Sequence, residues 1–430
     1  MFFIFLCYFA ALRENFFSQF LHNTIFRLRV FTFTHQKRQV KSIIARTWAK
    51  IKNKHQILFK MKYNRMAIEV ESPEEMGYDT IKYNLAESSV RDVALGELGL
   101  DLNNLILCYG EHRGDINLRK AIAGDSQVLK PEQVLVTTGA VTALFLVATT
   151  LLNTDDHLIV IRPNYATNLE TPRAIGCQST VIDLKFDDNF EIDIEVIKAA
   201  IKPNTRLISF TNPHNPTGKV FSENIINELI NLATENDCYL LADETYRDLN
   251  FQTVLEPYLA ERHQNVISIC SLSKAFGTPG IRIGWAICQD PSLMIRLLAA
   301  KEQVVICNSV VDEAIALHLL KNQEQFLPKT HQYIRQNFEI IRNWFEAQPY
   351  LEWNKPSAGT VCFVRIKDNY KIDVAQFYEV LYKDFQTIVG PGYWFEQPQN
   401  YMRIGFGYPT PEELKQGLLN LEECLRKFVK

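Results

Sequence analysis

The sequence predicts an α/β protein with a mostly parallel seven-stranded sheet, sandwiched by helices, and a smaller α+β domain. Three observations support this prediction. Strand-like apolar runs alternate with helical runs over about 180 residues after Leu105. The strand-like runs are continuously apolar, as expected when helices cover both faces of a sheet. After Asp290 the alternation ends, and long helical patterns are followed by short strands.

The alternating pattern predicts strands that are separated by helical or loop segments. Strands are predicted at residues 134–138, 157–162, 179–184, 206–210, 238–242, 266–270 and 283–288. The helices between them are predicted at residues 140–152, 166–175, 192–201 and 222–235. Later elements are helices at 323–346, 373–385 and 411–427, and strands at 360–366 and 401–406.

The composition is that of a globular protein, and the pattern along the chain divides it into four parts. Of the 430 residues, 22% are charged and 47% hydrophobic, which excludes a disordered or collagen-like chain. No apolar run reaches the roughly 18 residues of a membrane-spanning helix. We assign residues 1–65 to an extension, 66–108 to an N-terminal arm and part of the small domain, 109–320 to the large domain and 321–430 to the C-terminal small domain.

The extension differs sharply from the rest of the chain. Residues 1–65 carry 13 basic groups and one acid, a net charge of +12, whereas the remaining residues carry −15. Ten of the 27 phenylalanines lie between Phe2 and Phe33 of the extension. Three interpretations stay open: a mis-assigned start with translation beginning at Met61 or Met66, an organelle leader, or a membrane-surface tail. In each case we expect the extension to stay outside the fold.

The cysteine pattern argues against a metal site. The nine cysteines include no Cys-x-x-Cys pair, so a zinc cage has no support. Most lie in apolar stretches such as LILCYG around Cys108, which predicts buried free thiols in a reducing compartment and hence a cytoplasmic protein. The acidic chain after residue 65 is not expected to bind nucleic acid, and no membrane partner is expected.

Candidate ligand-binding residues follow the predicted strands, where ligands bind in open α/β sheets. Gly139-Ala140-Val141 opens a helix whose free N–H groups could bind an anion, with an ordinary turn as the alternative. Tyr165 could stack on a flat ring or simply lie at the edge of the core. Asn215 lies in a loop stiffened by two Asn-Pro steps, which either aims its amide or only fixes the connection.

Ionisable side chains follow the next two strands. Asp243 either meets a cation or caps a turn, and the spacing of three places Tyr246 on the same face of that turn. Lys274 lies among small polar residues in Ser271-Leu272-Ser273-Lys274. There it is expected to be desolvated, with the lowered pKa that a Schiff-base amine needs, unless it is an ordinary surface lysine.

Two arginines complete the candidate set. Arg282 follows Gly280-Ile281 and could pair with a phosphate. Arg403 lies within an apolar strand and needs an anionic partner, an edge position or a structural ion pair. The sequence thus places anion-binding groups and an acidic group within the predicted strands or directly after them.

In order, these motifs resemble the pyridoxal-phosphate enzymes of fold type I, the class I/II aminotransferases. Asn215-Pro216-Thr217-Gly218, Ser271-Leu272-Ser273-Lys274 and Gly280-Ile281-Arg282-Ile283-Gly284 carry the resemblance, which covers about residues 80–425. It implies pyridoxal 5′-phosphate as cofactor and amino transfer from an L-amino acid to a 2-oxo acid.

The resemblance also implies roles for single residues. Lys274 would hold the cofactor as an internal aldimine and move a proton between Cα and C4′. Asp243 would keep the pyridine nitrogen protonated, and so make the ring an electron sink. Tyr246 and Asn215 would bond the phenolic oxygen of the ring, and Tyr165 would stack on it.

The cofactor phosphate would be bound at two strand ends, by Gly139, Ala140, Val141, Ser271, Ser273 and Arg282. Tyr109 would reach a phosphate in the neighbouring subunit, which implies a homodimer with shared active sites. Arg403 would bind the α-carboxylate of the substrate in a bidentate pair, and Asn215 is assigned to the substrate as well.

The sequence departs from the commonest family pattern at residues 84–89, where a glycine-containing substrate loop is usual. There Glu87 could meet a cationic substrate side chain, or it is a solvated glutamate. Two segments are similar to those of capreomycidine synthase-like members, which cyclise an arginine derivative: Pro391-Gly392 through Arg403-Ile404-Gly405-Phe406, and the run Pro279-Gly280-Ile281-Arg282-Ile283-Gly284-Trp285. A lyase or cyclase is therefore the alternative to an aminotransferase. An aminotransferase-like transcription regulator is a third hypothesis, although residues 1–65 show no helix-turn-helix spacing.

Overall fold

The computed structural model describes residues 61–251 and 256–429. Our expectations for residues 1–60, and for Cys7, lie outside the described residues. Residues 61–65, which we assigned to the extension, contact the folded chain. The ring of Tyr63 lies 6.4 Å from that of Phe145, and Arg65 forms an ion pair of 3.0 Å with Glu75. The compact unit that contains these residues begins at Met61, and the assignment of residues 1–65 to an extension stays a prediction.

The large sheet has seven strands in the order β2-β8-β7-β6-β5-β3-β4. Its strands are β2 (Val134–Thr138), β3 (His157–Arg162), β4 (Gln178–Asp183), β5 (Thr205–Thr211), β6 (Tyr239–Asp243), β7 (Val266–Ser271) and β8 (Ile283–Cys288). Every pairing is parallel except those of β8, which runs antiparallel to both of its neighbours. The predicted fold class is confirmed, and each predicted strand agrees with the structure to within one residue.

Helices cover both faces of this sheet, which explains the continuously apolar strands. On β6, Leu240 packs in the same core cluster as Leu229, whereas its neighbour Leu241 packs in the cluster of Leu144 on the opposite face. The covering helices of the first half are α3 (Ile116–Ala123), α4 (Gly139–Leu151), α5 (Ala166–Ile175), α6 (Ile194–Ala200) and α7 (Glu223–Glu235). Burial of each such leucine contributes about 1.5–3 kcal/mol.

A second sheet contains the strands that precede and follow the large sheet. Its order is β1-β11-β12-β10-β9, with β1 (Tyr83–Leu85), β9 (Leu351–Trp353), β10 (Val361–Ile366), β11 (Thr387–Pro391) and β12 (Tyr401–Gly405). Strand β1 pairs parallel with β11, and the other pairings are antiparallel. The remaining helices are α1 (Ala67–Glu71), α2 (Pro73–Met76), α8 (Pro291–Val304), α9 (Val310–Lys321), α10 (Gln323–Ala347), α11 (Val374–Lys383) and α12 (Pro411–Phe428).

Residues 84–93, which are the end of β1 and the loop that follows it, cross directly over the turn that carries Lys274. Backbone hydrogen bonds run from Val90 N to the oxygen of Lys274 (3.1 Å) and from Val93 N to that of Gly277 (2.9 Å). Gly277 has φ +60°, and a Cβ there would lie 2.2 Å from the carbonyl oxygen of Arg91. Only glycine therefore permits this crossing, which brings the β1 segment to the carboxyl edge of the large sheet.

The cysteines of the described residues are free, and most are buried as expected. Cys177 and Cys307 are only partly buried, and Cys108 is exposed despite its apolar sequence context. In the described ranges, no helix has both the length and the apolar character needed to cross a membrane. The same residues contain no group of three or more His, Cys, Asp or Glu side chains arranged to hold a metal ion.

Candidate active site

A cavity of about 350 Å³ opens at the carboxyl edge of the large sheet, within the size range of small-molecule sites. It is closed on the other side by residues 68–78 and by the 84–93 loop. Twelve of the fourteen residues predicted for the site line it: Glu87, Ala140, Val141, Tyr165, Asn215, Asp243, Tyr246, Ser271, Ser273, Lys274, Arg282 and Arg403. The other two, Gly139 and Tyr109, do not line it.

Lys274 lies at the centre of a hydrogen-bonded group. Its Nζ donates to the Oγ of Ser88 at 3.1 Å, and the hydroxyl of Tyr246 donates to the same oxygen at 3.0 Å. The Lys274 amine also lies 3.8 Å from a carboxylate oxygen of Glu87. Lys274 is therefore not an ordinary surface lysine, and the Ser88 hydroxyl holds it beside the phenol of Tyr246.

The pKa of Lys274 shifts in the direction opposite to the prediction. Burial lowers this pKa, as expected for a desolvated amine. However, the attraction of Tyr246 and Glu87 for the charged amine outweighs burial and the repulsion by Arg403, so the pKa lies above its ordinary value. The prediction of a lowered pKa is wrong because the opposing charges come from distant parts of the sequence.

Glu87 is partly buried instead of solvated, so the second interpretation of this residue is wrong. Its side chain is 15% exposed, and its Oε1 accepts a hydrogen bond of 2.9 Å from the N–H of Ser88. Burial raises the pKa of Glu87, but the charges of Lys274 and Arg403 and the Ser88 hydrogen bond hold it below the ordinary value. Gly405 permits the backbone of Glu87 to lie close to β12, since a Cβ at Gly405 would lie 2.0 Å from the Glu87 carbonyl oxygen.

Asp243 combines both interpretations offered by the sequence. Its carboxylate accepts hydrogen bonds from the N–H and the hydroxyl of Thr245, at 3.2 and 2.5 Å, and so caps the turn after β6. The same side chain is buried and lines the cavity. Burial raises the pKa of Asp243, while the bonds from Thr245 and Asn168 lower it only in part. The carboxylate thus has neutral hydrogen-bond partners and room for a cation.

One end of the cavity is built from anion-binding groups. Helix α4 begins here, and Thr138 at its N-cap provides no side-chain hydrogen bond, so the first N–H groups of the helix are free for a ligand. Gly139 has φ +77°, and a Cβ there would lie 2.6 Å from Nη2 of Arg282. Arg282 itself adopts φ +48°, a conformation that costs about 1–3 kcal/mol outside glycine and that concentrates at functional sites. Ser271 and Ser273 line the same cavity.

Arg403 forms the other charged end. It lies on β12, an interior strand of the second sheet, and is only 5% exposed. Its guanidinium donates to Oδ1 of Asn215 at 3.1 Å and to the carbonyl oxygen of Ala86 at 2.6 Å. Its Nε has no hydrogen-bond partner. Arg403 is therefore neither an edge residue nor part of a structural ion pair among the described residues, and its buried charge at the cavity suits an anionic ligand.

The remaining residues divide into those that the sequence indicated and those that it missed. Tyr165 lines the cavity and is 37% exposed. Tyr109 is 86% exposed, so its expected contribution to a neighbouring subunit stays a prediction. Sequence reasoning missed Ser88, Asp92 and the wall formed by residues 68–78. Only the departure from the family pattern at residues 84–89 pointed toward Ser88.

The family model described as aminotransferase class I and II matches residues 83–421. The chain belongs to this family, and the predicted resemblance is confirmed. The matched range contains every residue discussed for the cavity except those of the 68–78 wall.

Named relatives include both aminotransferases and an enzyme of another type. Capreomycidine synthase of Streptomyces vinaceus is 28% identical over 81% of this chain and 91% of the relative. An aspartate aminotransferase of Thermotoga maritima is 25% identical over 79% of this chain and 87% of the relative. A crystal structure of a PLP-dependent aminotransferase from Streptococcus suis covers 86% of this chain and all of its own, at 29% identity and a TM-score of 0.80.

Pyridoxal 5′-phosphate is the cofactor indicated by this family, and the cavity fits it. The buried Asp243 carboxylate has neutral hydrogen-bond partners, which suits a protonated ring nitrogen. The missing side chain at Gly139 leaves space beside Arg282 and the start of α4, which suits a phosphate. Among the described residues that line this cavity, Lys274 carries the only amine.

Proposed function

We propose that the chain is an aminotransferase that moves an amino group from an L-amino acid to a 2-oxo acid. One observation carries the proposal: the Lys274 amine, the Asp243 carboxylate and the Arg403 guanidinium line one cavity of about 350 Å³. These are the three groups that the reaction needs, namely a tether and proton carrier, a partner for the cofactor ring and a partner for the substrate carboxylate.

We assign the phosphate of the cofactor to the α4 end of the cavity, to Ala140, Val141, Ser271, Ser273 and Arg282, with Gly139 leaving the space. When bound, the cofactor supplies an electron sink for negative charge at Cα of the amino acid. Asp243 orients the ring and favours its protonated nitrogen.

The other assigned roles concern substrate binding and proton movement. The guanidinium of Arg403 binds the α-carboxylate in a bidentate pair, and Asn215 holds the guanidinium in place. Lys274 carries the proton to and from the substrate Cα. Ser88 fixes the amine beside Tyr246, whose hydroxyl bonds the ring oxygen, and Tyr165 packs against the ring.

We further propose a cytoplasmic homodimer. The segment at Cys108 exposes Ile106 (77%), Leu107 (76%) and Tyr109 (86%), and exposed apolar patches of this kind mark interaction sites. A second copy that covers this segment would receive Tyr109 at its phosphate end. The free cysteines of the described chain support a reducing compartment.

A cyclase or lyase is the second candidate, because capreomycidine synthase is among the relatives. Both reactions use the same contacts to the cofactor, and they differ in the fate of the substrate side chain and amino group. A transaminase would transfer the amino group to a 2-oxo acid, whereas a lyase or cyclase would need no such acceptor.

Cofactor absorbance in the presence of single amino acids tests the proposal. With a true donor we expect stoichiometric conversion to the amine form of the cofactor, one equivalent of 2-oxo acid product, and restoration of the original spectrum by an added 2-oxo acid. Release of ammonia or of a cyclic product without any acceptor would instead support the second candidate.

A further inference from the structure

The cavity wall formed by residues 74–92 is acidic. Glu74, Glu87 and Asp92 line it, together with Tyr78. Burial and the negative charges of Glu87, Glu74 and Asp92 raise the pKa of Tyr78 above its ordinary value. All three carboxylates line the same cavity as Tyr78, and we call this set of four residues the acidic wall.

Within the described chain, Glu87 is the member of the acidic wall that forms an ion pair, with the Lys274 amine at 3.8 Å. The basic side chains that line the cavity in the described chain are Lys274, Arg282 and Arg403, and each is assigned above to the cofactor or to the α-carboxylate. Outside the cavity, Arg91 is paired with Glu413 at 2.8 Å. Burial and the nearby charge of Glu87 raise the pKa of Asp92 above its ordinary value, so negative charge at the wall is incompletely compensated.

Aromatic rings accompany these carboxylates. The ring of Tyr78 stacks near that of Tyr408, with centroids 6.4 Å apart and an angle of 20° between the planes. Aromatic faces attract cations, and guanidinium groups in particular. Carboxylates beside aromatic rings are therefore a suitable environment for a cationic side chain, and a poor one for an anionic side chain.

A second, independent feature shows that the same cavity is built for a charged ligand. Arg403 is 5% exposed and lines the cavity, yet its Nε lacks a partner. An α-carboxylate bound there orients the rest of the amino acid. The cavity thus offers a cation for one end of the ligand and several anions for another part of it.

Resting on the proposed function, we propose that the acidic wall binds a cationic side chain, so that the preferred amino donor carries a terminal guanidinium or ammonium group. Glu87 and Asp92 form ion pairs with this group, and Tyr78 contacts it through its ring. The chemical class of the donor is therefore that of arginine and lysine, not that of aspartate or of aromatic amino acids.

Arginine and citrulline provide the sharpest comparison, because they share their shape and differ in the charge of the terminal group. With the holoenzyme we expect kcat/KM for the half-reaction to be about 10–100-fold higher for arginine, as is usual for a hydrogen-bonded charge pair. Calorimetry should show a similar ratio of dissociation constants, which measures recognition apart from turnover.

Two variants locate the recognition. In Asp92→Asn we expect the arginine-to-citrulline ratio to fall about tenfold, because one charge is lost with little change in shape. Glu75→Gln is the matched control, since Glu75 is a neighbouring carboxylate that pairs with Arg65 and does not line the cavity. The control should keep the ratio of the native enzyme.

The outcomes separate this proposal from the proposed function. Equal kcat/KM and equal affinity for arginine and citrulline, or a preference for aspartate, would overturn the cationic site while leaving an aminotransferase. If no amino acid converts the cofactor, the proposed function fails, and the calorimetric ratio alone then decides for or against the cationic site. Should Asp92→Asn fail to fold, the comparison in the native enzyme still stands.

Discussion

Ser88 shows how much of the site depends on single contacts. Its hydroxyl is shared by the Lys274 amine and the Tyr246 phenol, at 3.1 and 3.0 Å. Its backbone oxygen accepts a hydrogen bond of 2.8 Å from the hydroxyl of Thr360, which fixes the residue between the two sheets. Ser88 is therefore a positioning residue for the two groups that we propose to act on the ring and on the substrate Cα.

Replacing Ser88 tests this role. Each lost hydrogen bond is worth about 1 kcal/mol, so we expect kcat of Ser88→Ala to fall about three- to tenfold. Stopped-flow measurement of the half-reaction checks this value. Ser209→Ala is the control, because Ser209 is a buried serine of β5 whose hydroxyl has no partner and does not line the cavity. Unchanged turnover in Ser88→Ala would contradict the role.

Motifs within a few residues of one another were predictable, whereas contacts between distant segments were not. The Lys274, Asp243 and Arg403 assignments come from residues that stand at strand ends or inside an apolar strand, where local sequence already makes an ionisable group unusual. Ser88 gains its contacts from residues far along the chain. The pKa of Lys274 was predicted in the wrong direction for the same reason, since Tyr246 and Glu87 both reach it through the fold.

At the scale of elements, the two short helices α1 and α2 form the cover of the cavity. They contain five and four residues, too few to be stable alone. Glu71, at the end of α1, accepts hydrogen bonds from the hydroxyl of Tyr393 (2.6 Å) and the indole N–H of Trp394 (2.8 Å). Trp394 itself lines the cavity, so the Glu71 carboxylate holds α1 against the segment that follows β11 of the second sheet.

Removing these hydrogen bonds should loosen the cover. In Glu71→Ala we expect faster amide hydrogen exchange across residues 66–78 and a KM for the amino donor about three- to tenfold higher, as the loss of one or two hydrogen bonds to a charged group implies. Mass spectrometry of exchanged peptides and steady-state kinetics measure the two effects. Glu75→Ala, which removes an exposed ion pair worth at most about 1 kcal/mol, should change neither. If amide hydrogen exchange across residues 66–78 is as slow in Glu71→Ala as in the native protein, Glu71 does not hold the cover in place.

Long and regular elements were predicted well, and short ones were missed. The continuously apolar strands of the large sheet and helix α10 have enough residues for a pattern to emerge. Strands β1 and β9 have three residues each, and their pairing is set by partners elsewhere in the chain. Strand β11 was also missed, although it is buried throughout, because its five residues, TIVGP, include a glycine and a proline, which are typical of turns.

At the scale of the whole molecule, we propose that a dimer completes the active site. In this proposal the exposed segment of Ile106 and Leu107 would carry Tyr109 to the partner. We expect the native protein to sediment as a dimer, and a double variant, Ile106→Asp with Leu107→Asp, to sediment as a monomer that binds the cofactor weakly and loses most turnover. Leu419→Asp changes an equally large exposed residue at a different surface and should remain a dimer.

A native protein that sediments as a monomer with full activity would contradict the proposed assembly. A dimer that persists in the double variant would place the interface elsewhere. Sequence alone suggested the assembly only through the family resemblance, because a surface that is buried by a second copy has no distinct periodicity within one chain.

The central claim is that Lys274 covalently holds the cofactor in the cavity shared with Asp243 and Arg403. Borohydride reduction of the purified holoenzyme, followed by peptide mapping, tests it most directly, because reduction makes the bond between the cofactor and its amine permanent. We expect the added cofactor mass on the peptide that contains Lys274, and its absence in Lys274→Ala along with the visible absorbance band. Modification of a different lysine, or an unmodified Lys274 in protein that turns over amino acids, would contradict the account.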